Sequence, residues 1–420
     1  MKASIISSLL LLPATAFAQS SSASGSASAS ASASSASSSA AAGGNGTDYL
    51  TTVLGALTSA GLTSLVGVAQ GIANTTEGQA LLGSLASGNK TVFAPSNQAF
   101  SNVSEDVTSN TALLTQILSY HILNNTYTSA GIKAAPNHTI ARTLLKGGNY
   151  SLPGNFSAPL VLTKNSTNAT SFEIVQTTSN VTAQGNATAA NLHVYVIDQV
   201  LSLPQTLTEA LPAVAPQLFG LAGSIPGLAE TLSSSPGLTI FAPSDSAIGA
   251  IQQSLGQLNA TQVGSVLSNH IINGTVVYST GLASGNYTSA GGEPFKFVSN
   301  SSGAYVTSAN STAKIVQSDI IINNGVIHLI DGVLVNTASN PQAASSAYSS
   351  AVAAASTSVE ANTPVTATSA AAGPTGSSNT STSGKTSAGL KVEPFALTTS
   401  VMGGAVAIIG AVVGGVVTLF

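Results

Sequence analysis

The sequence predicts an α+β fold that occurs twice in tandem. Two segments repeat each other, Thr91 to Phe100 in the first half and Thr239 to Ile248 in the second, and such self-similarity indicates two copies of one domain. Two further markers follow in the same order, a histidine that ends an apolar stripe and an Ile-Asp pair that ends an apolar run. They are His121 and Asp198 in the first copy and His270 and Asp331 in the second.

Each copy begins with residues patterned as helices. Leucine and valine recur at three- to four-residue spacing from Leu50 to Leu65 and from Leu207 to Leu218, as on the buried face of a helix. We expect Pro212 and Pro216 to break the second set into short helices, because proline lacks the amide donor that a helix interior needs.

The repeated segment predicts a strand that turns into a helix. A short β-rich run ends at a proline, and the serine after it is a good N-cap for the next helix. We expect a buried phenylalanine at each corner and a structural rather than nucleophilic serine, since the sequence has no Gly-x-Ser-x-Gly elbow. The corner residues are Phe93, Pro95 and Ser96 in the first copy and Phe241, Pro243 and Ser244 in the second.

The second half of each copy alternates apolar and polar residues between Asn-, Gly- and Ser-rich turns, which is typical of antiparallel strands. The first copy has more residues than the second between its histidine marker and its Ile-Asp pair. We expect part of this insertion at 181–190, as a surface loop.

The repeated histidines and aspartates favour structural roles. His121 and His270 lie near the ends of apolar stripes, where an imidazole can donate to a helix carbonyl. Asp198 and Asp331 follow strands and are expected to cap turns or backbone groups. The sequence has no cysteine, no His-x-x-x-His and no Gly-rich loop with lysine, so we expect no catalytic residue, no metal and no cofactor.

The two ends of the chain predict a secreted and anchored protein. Residues 1–18 have the basic start, apolar core and small final residues of a signal peptide. Residues 388–420 form a spacer and an apolar tail that follow small residues, as in a GPI-attachment propeptide, with Ser387 as the expected attachment residue. The alternative is a single transmembrane helix, although it would lack basic residues on its far side.

Composition excludes nucleic acid as a partner and predicts heavy glycosylation. Only 6% of residues are charged, the net charge is −4, and Arg142 is the one arginine, so there is no basic surface for phosphates. The chain carries eighteen Asn-x-Ser/Thr sequons, whose glycans would hydrate a surface so poor in charge. The candidate asparagines are Asn45, Asn74, Asn89, Asn102, Asn124, Asn137, Asn149, Asn155, Asn165, Asn168, Asn180, Asn186, Asn259, Asn273, Asn286, Asn300, Asn310 and Asn379.

Two segments are expected to be disordered. Residues 19–46 are almost pure Ser and Ala, and residues 338–387 are rich in Ser, Thr and Ala, so neither has enough large apolar side chains to form a core. The second segment would be a stalk between the folded part and the anchor. O-glycosylation would stiffen such segments; the alternative is a plain flexible linker.

The repeated motifs resemble those of fasciclin (FAS1) domains. The resemblance rests on the Phe-Ala-Pro-Ser corners, on Tyr120-His121, and on the run from Asn324 through His328 to Asp331, and it covers residues 47–203 and 204–337. It implies that each domain is a β-sandwich wedge packed against several helices. It also implies a role in cell adhesion or in matrix and cell-wall attachment, and the stalk and anchor are similar to those of fungal surface members.

The chain departs from the family pattern at Asn269 and Tyr195, and a third position bears on adhesion. Asn269 replaces the tyrosine before the second histidine, so that a hydrogen bond is lost or replaced. Tyr195 stands where the second copy has His328. In some animal members an Asp-Ile pair before the last strand is thought to engage integrins; Asp319-Ile320 occupies that place in the second copy and Thr178-Ser179 in the first, which makes Asp319 and Ile320 the adhesion candidates.

Together these features predict a non-enzymatic protein on the outer face of the plasma membrane or in the cell wall. Its expected partners are extracellular matrix, wall polysaccharide or surface receptors of neighbouring cells, besides the membrane that holds its anchor. One alternative is a structural wall mannoprotein without a specific partner. A more remote one is a wall-glycan hydrolase, which would need two suitably spaced carboxylates in a cleft.

Overall fold

The computed structural model describes residues 46–164 and 171–358. The expected signal peptide, nearly all of the segment 19–46, the later part of the stalk, Ser387 and the apolar tail lie outside the described residues. So do the candidate glycosylation sites Asn45, Asn165, Asn168 and Asn379.

The first copy consists of a helical group followed by strands. Its helices are α1 Gly46–Ser59, α2 Thr63–Ile72, α3 Thr76–Ser84, α4 Asn97–Ser101, α5 Glu105–Thr108 and α6 Thr111–Tyr120. Its strands are β1 Lys90–Pro95, β2 Ile122–Leu123, β3 Thr139–Arg142, β4 Pro159–Lys164, β5 Phe172–Val175, β6 Asn180–Ala189 and β7 Leu192–Ile197. A short 3₁₀ turn spans Gly148–Tyr150.

The second copy repeats this arrangement. Its helices are α7 Leu207–Val214, α8 Pro216–Gly223, α9 Leu228–Ser234, α10 Asp245–Leu255 and α11 Ala260–Ser268, and a final helix, α12 Pro341–Thr357, follows the copy. Its strands are β8 Leu238–Pro243, β9 Ile271–Asn273, β10 Phe295–Asn300, β11 Gly303–Ser308, β12 Ser311–Ile322 and β13 Gly325–Ile330. A 3₁₀ turn lies at Leu282–Ser284.

The sheet of each copy curls around its own core. The strand order is β2-β1-β7-β6-β5-β4-β3 in the first copy and β10-β11-β12-β13-β8-β9 in the second. The rings of Phe93 on β1 and Phe172 on β5 lie 5.8 Å apart although two strands separate β1 from β5 in the sheet. The two halves of the sheet therefore face each other across a shared interior, and the predicted α+β class with a sandwich-like wedge is confirmed.

Strand β1 is buried on both faces, which explains its continuous apolar run. It pairs in parallel with β7, and side chains alternate between the two faces of a strand. Val92 and Ala94 pack against the helices, whereas Phe93 points into the curled sheet. Ile240, Ala242 and Phe241 repeat this division on β8.

Of the two prolines expected to break the helical segment, one does so and the other does not. Pro216 begins α8 at its first turn, where the missing amide costs nothing, so the break before it is confirmed. Pro212, however, lies inside α7 and does not end it.

The expected location of the insertion at 181–190 is wrong. Residues Asn180–Ala189 form strand β6, which pairs with β7 as β12 pairs with β13. The first copy is longer instead between its histidine and β4, where residues 122–158 include strand β3; the second sheet has no counterpart of β3 among the described residues.

The beginning of the predicted stalk is also corrected. Residues Pro341–Thr357 form α12, capped by the Asn340 side chain, which accepts the amide of Ala343 at 3.1 Å. A Cβ added at Gly274 would lie 3.2 Å from Cβ of Ala351, so the helix lies close to the second copy. One added at Gly154, in the first copy, would meet the carbonyl oxygen of Ala355 at 2.9 Å. Helix α12 thus lies close to both copies, although none of its residues is fully buried.

Candidate functional site

The repeated corner is a structural element in both copies. Phe93 and Phe241 are 0% exposed. The Ser96 hydroxyl accepts the amide of Ala99 at 3.1 Å and the Ser244 hydroxyl accepts that of Ala247 at 3.3 Å, so both serines are N-caps. These contacts confirm the predicted corner and explain the serines without a nucleophilic role.

Each marker histidine joins its helix to the segment after the last strand. His121 Nε2 accepts the amide of Leu201 at 3.0 Å, so its Nδ1 carries the proton and donates to the carbonyl of Ile117 at 2.7 Å. His270 repeats both bonds, to Leu334 at 2.9 Å and to Val266 at 2.7 Å. Burial lowers the pKa of both imidazoles to about 4, against a smaller opposing effect of the carbonyl bond. They are therefore neutral structural links, as the sequence predicts.

The two marker aspartates cap backbone groups of the neighbouring strand. Asp198 accepts the amide of Thr182 at 3.2 Å, and Asp331 accepts that of Lys314 at 2.7 Å. Both side chains are exposed at the ends of strands. The predicted capping role is confirmed.

Tyr195 and His328 occupy matching positions of the two copies, and each donates a hydrogen bond to a backbone carbonyl. The Tyr195 hydroxyl donates to the carbonyl of Tyr127 at 3.1 Å, and His328 Nε2 donates to the carbonyl of Val277 at 2.9 Å. His328 also stacks on Phe241, with ring centres 5.5 Å apart. Burial lowers the pKa of His328, the negative charge of Asp319 opposing the shift, and the ring is neutral.

Asn269 replaces the tyrosine hydrogen bond with bonds of its own, one of the two outcomes that the sequence left open. In the first copy the Tyr120 hydroxyl donates to the carbonyl of Pro159 at 3.1 Å. The Asn269 amide donates instead to the carbonyls of Asn336 and Ala338, at 2.9 and 2.8 Å. This substitution fixes the segment that leads into α12.

A polar and apolar junction joins the two copies. Ile140 on β3 and Val161 on β4 share a hydrophobic cluster with Ile321 and Val326 of the second copy. Arg142 lies over the Tyr278 ring, 5.3 Å from its centre, and donates to the Ser157 carbonyl at 2.8 Å. We call this contact region the copy junction. Strand β4, together with β3 of the first copy's insertion, therefore meets the second copy.

Asp319 is the charged centre of the copy junction. Its carboxylate accepts the amide of Ser279 at 2.7 Å, the Ser279 hydroxyl, and Nδ1 of His138, at 2.7 Å, from the first copy. The Asp319 side chain is 0% exposed and that of His138 13%. Burial by itself raises the pKa of Asp319, but the bonds from His138 and Ser279 and the nearby His328 outweigh it, and the pKa lies below its ordinary value.

The two adhesion candidates, Asp319 and Ile320, are buried. Asp319 and Ile320 are 1% and 2% exposed, and Asp319 is engaged in the copy junction. A receptor could not reach Asp319 without separating the copies, and Ile320 is buried in the core of the second copy itself. The strand register also changes the matching pair: Ala187 lies opposite Val194 as Ile320 lies opposite Ile327, so Asn186-Ala187, and not Thr178-Ser179, is the counterpart in the first copy.

Sequence reasoning missed His138 and Tyr278 as junction residues. One signal was available: His138 and Arg142 lie outside the repeated markers, within the longer stretch of the first copy. Residues that the second copy does not repeat are candidates for contacts that only the first copy makes.

The surface carries most of the candidate glycosylation sites. Twelve of the described sequon asparagines are exposed, and Asn273 is half-buried. The exposed ones are Asn74, Asn89, Asn102, Asn124, Asn137, Asn149, Asn155, Asn180, Asn259, Asn286, Asn300 and Asn310. The backbone of Asn186, another sequon asparagine, lies in β6.

The described residues hold neither a cluster suited to a metal ion nor a membrane-spanning helix. Across 46–164 and 171–358, no three side chains of the His, Cys, Asp and Glu types come together as a metal site. In the same residues no helix combines the length and apolar character needed to span a membrane.

Comparison with known proteins gives the family. A family model described as the Fasciclin domain matches residues 49–204 and 217–336. A fasciclin-like arabinogalactan protein of Arthroderma benhamiae is 26% identical over 256 residues, which are 59% of this chain and 58% of that protein. Periostin of Homo sapiens is 26% identical over 261 residues, 59% of this chain and 28% of periostin.

Among solved structures, a FAS1 domain pair from the insect cell adhesion molecule fasciclin I matches 64% of this chain and 96% of its own, at 17% identity and a TM-score of 0.31. The chain thus matches little more than half the length of the Arthroderma protein. Since the family model matches twice and spans more than half of the chain, the chain belongs to the fasciclin family and carries two fasciclin domains.

Proposed function

We propose that this chain is a GPI-anchored cell-surface glycoprotein that presents two fasciclin domains for cell adhesion or for attachment to matrix or cell wall. The observation that carries the proposal is the pair of fasciclin domains between a segment with the pattern of a secretory signal and one with the pattern of a lipid-anchor signal. The same pattern gives the chain an extracellular location.

The surface chemistry supports an extracellular, glycosylated protein. Charged residues are few, and exposed sequons lie on both copies, from Asn74 to Asn310. Glycans at these sites would supply the hydration that charged side chains supply on other proteins. Contacts with partners would then be made by the areas between the glycans.

The copy junction supports a mechanism based on avidity. Because Ile140, Val161 and His138 hold the first copy against the second, the pair is presented as one unit. Many such units on one membrane patch multiply weak individual contacts, since every contact after the first occurs at high effective concentration. Adhesion would therefore depend strongly on surface density.

Extraction of cells that express the full chain tests the anchor. We expect a phosphatidylinositol-specific phospholipase to release the protein, because the lipid would be its only hold on the membrane. A variant in which Ser383, Gly384, Ser387, Ala388 and Gly389 are replaced by bulky residues should fail to reach the surface. Protein that stays in the membrane after complete lipase treatment would contradict the anchor.

The same extraction distinguishes a protein held in the membrane by its lipid anchor from a structural protein linked to the cell wall. Release only by glucan digestion would indicate a wall component linked through its glycans or its anchor remnant.

For the adhesive role, deletion of the gene is expected to reduce cell adhesion and aggregation, with recovery on re-expression of the full chain. Unchanged adhesion would argue against it.

A further inference from the structure

A cavity of about 490 Å³ lies in the second copy between helices α8, α10 and α11. Its walls are aliphatic, and they include Leu218, Leu221, Ile248, Leu255, Val263 and Val266. Cavities of about 300–1,000 Å³ with apolar walls are the usual size and character of small-molecule sites.

The cavity arises from side-chain sizes that differ between the copies. The corner and the histidine marker align the two copies, and three wall positions of the second copy carry smaller residues than the first. The pairs are Phe100 and Ile248, Leu114 and Val263, and Ile117 and Val266. In the first copy α2 packs directly against α6, and Phe100 and Leu114 belong to the core between them. The open space is thus a property of the second copy's own sequence.

The lining of the cavity indicates the chemistry of its occupant. No aromatic side chain other than the His270 imidazole and no charged side chain is among the lining residues, which favours an aliphatic and uncharged ligand. Both nitrogens of His270 are already bonded within the fold, at 2.7 and 2.9 Å, so it offers no hydrogen bond to the interior. The remaining polar side chains are Gln217 and Gln252, which are exposed and therefore lie toward the solvent side.

The charge at the solvent side of the cavity favours a ligand whose polar end is neutral. The Asp245 carboxylate accepts a hydrogen bond from the backbone amide of Gln217 at 3.0 Å. This bond places a negative charge beside the opening of the cavity. An anionic headgroup would be repelled there, whereas a hydroxyl group can bond to either glutamine.

We propose that the second fasciclin domain binds a neutral lipid, with its aliphatic chain in the cavity and its hydroxyl-bearing end beside Gln217 and Gln252. Long-chain monoacylglycerols and fatty alcohols share this chemistry. The inference does not depend on the proposed anchor or on adhesion, since it rests on the cavity alone.

Photolabelling of the full chain tests the location of this site. The probe is 1-monopalmitoylglycerol with a diazirine in its acyl chain, used below its micellar concentration, and palmitate is the anionic comparison. We expect one probe per chain, attached to α8, α10 or α11, and an affinity for palmitate at least tenfold weaker. Absence of binding, labelling at other positions such as the apolar tail 401–420, or equal binding of palmitate would overturn the proposal.

Variants that restore the residues of the first copy test the cavity itself. I248F/V263L/V266I should fill the space and weaken monopalmitoylglycerol binding at least tenfold, while circular dichroism and the thermal midpoint remain those of a folded chain. If the triple variant does not fold, V263L alone replaces it in the test, and we expect it to weaken monopalmitoylglycerol binding about threefold. The matched control is V316L, since Val316 is 52% exposed on β12, and it should bind as the unchanged chain does. Unchanged binding by a folded cavity-filling variant would also overturn the proposal.

Discussion

The free energy of unfolding is expected to fall by about 3 kcal/mol for each of His121 and His270 as the pH is lowered from 7 to 4. Burial lowers the pKa of both imidazoles from 6.5 to about 4 in the folded chain. Between these values the unfolded chain binds protons that the folded chain does not. The stability is therefore fully present above pH 6.5 and is lost as the pH falls toward 4.

Glutamine substitutions separate these two histidines from other acid-sensitive groups. A glutamine amide can donate to the helix carbonyl and accept the backbone amide, but it does not titrate. H121Q and H270Q should each lose some stability at pH 7 and should each remove part of the acid-induced loss, with the double variant removing the sum. Urea unfolding followed by circular dichroism at pH 7, 5.5 and 4 measures this. An equal acid-induced loss in the double variant and the unchanged chain would rule out this role.

Replacement of Asp319 by asparagine is expected to destabilise the chain by about 3 kcal/mol at pH 7, because a buried carboxylate accepts hydrogen bonds from Ser279 and His138 that the asparagine amide cannot all accept. Asparagine is the suitable replacement, since Asp319 has a φ of 63° and asparagine tolerates this left-handed backbone. The pKa of Asp319 is depressed in the folded chain, so its carboxylate stabilises the fold above the ordinary aspartate pKa of about 3.9. The difference between the chain and D319N should accordingly shrink as the pH falls below that value.

A double-mutant cycle assigns this effect to the copy junction. H138A and D319N should be non-additive by more than about 1 kcal/mol, since the two side chains are in contact across the copies. D331N is the matched control, because Asp331 undergoes the same chemical change at an exposed strand end; its cost should stay within about 1 kcal/mol. Additive effects of H138A and D319N would show that this hydrogen bond does not couple the copies.

Features that depend on neighbours in sequence could be predicted from the sequence. Ser96 caps a helix through the amide three residues later, and His121 bonds the carbonyl four residues earlier, so the local pattern contains both partners. The buried corner phenylalanines follow from strand alternation in the same way. The duplication then extends each of these results to the second copy.

Features that depend on contacts between the copies could not be predicted in this way. Asp319 looks like a surface residue in sequence, and only the position of His138, in the other copy, shows its burial. The 341–357 segment has the composition of a stalk, and its helix lies close to Gly274 of the second copy and Gly154 of the first, which no local pattern shows. The cavity likewise needs the distance between α8 and α11, which no local pattern gives.

Adhesion of cells that display the chain tests the proposed function most directly. Cells with the full chain are compared with cells whose chain lacks residues 47–337 but keeps the signal, stalk and tail, at surface levels matched through the same epitope tag. We expect the full chain to retain several times more cells on matrix- or wall-coated surfaces and on cell layers, and we expect phospholipase treatment to abolish the difference. Equal retention by both chains at matched density would contradict a role of the two fasciclin domains in adhesion.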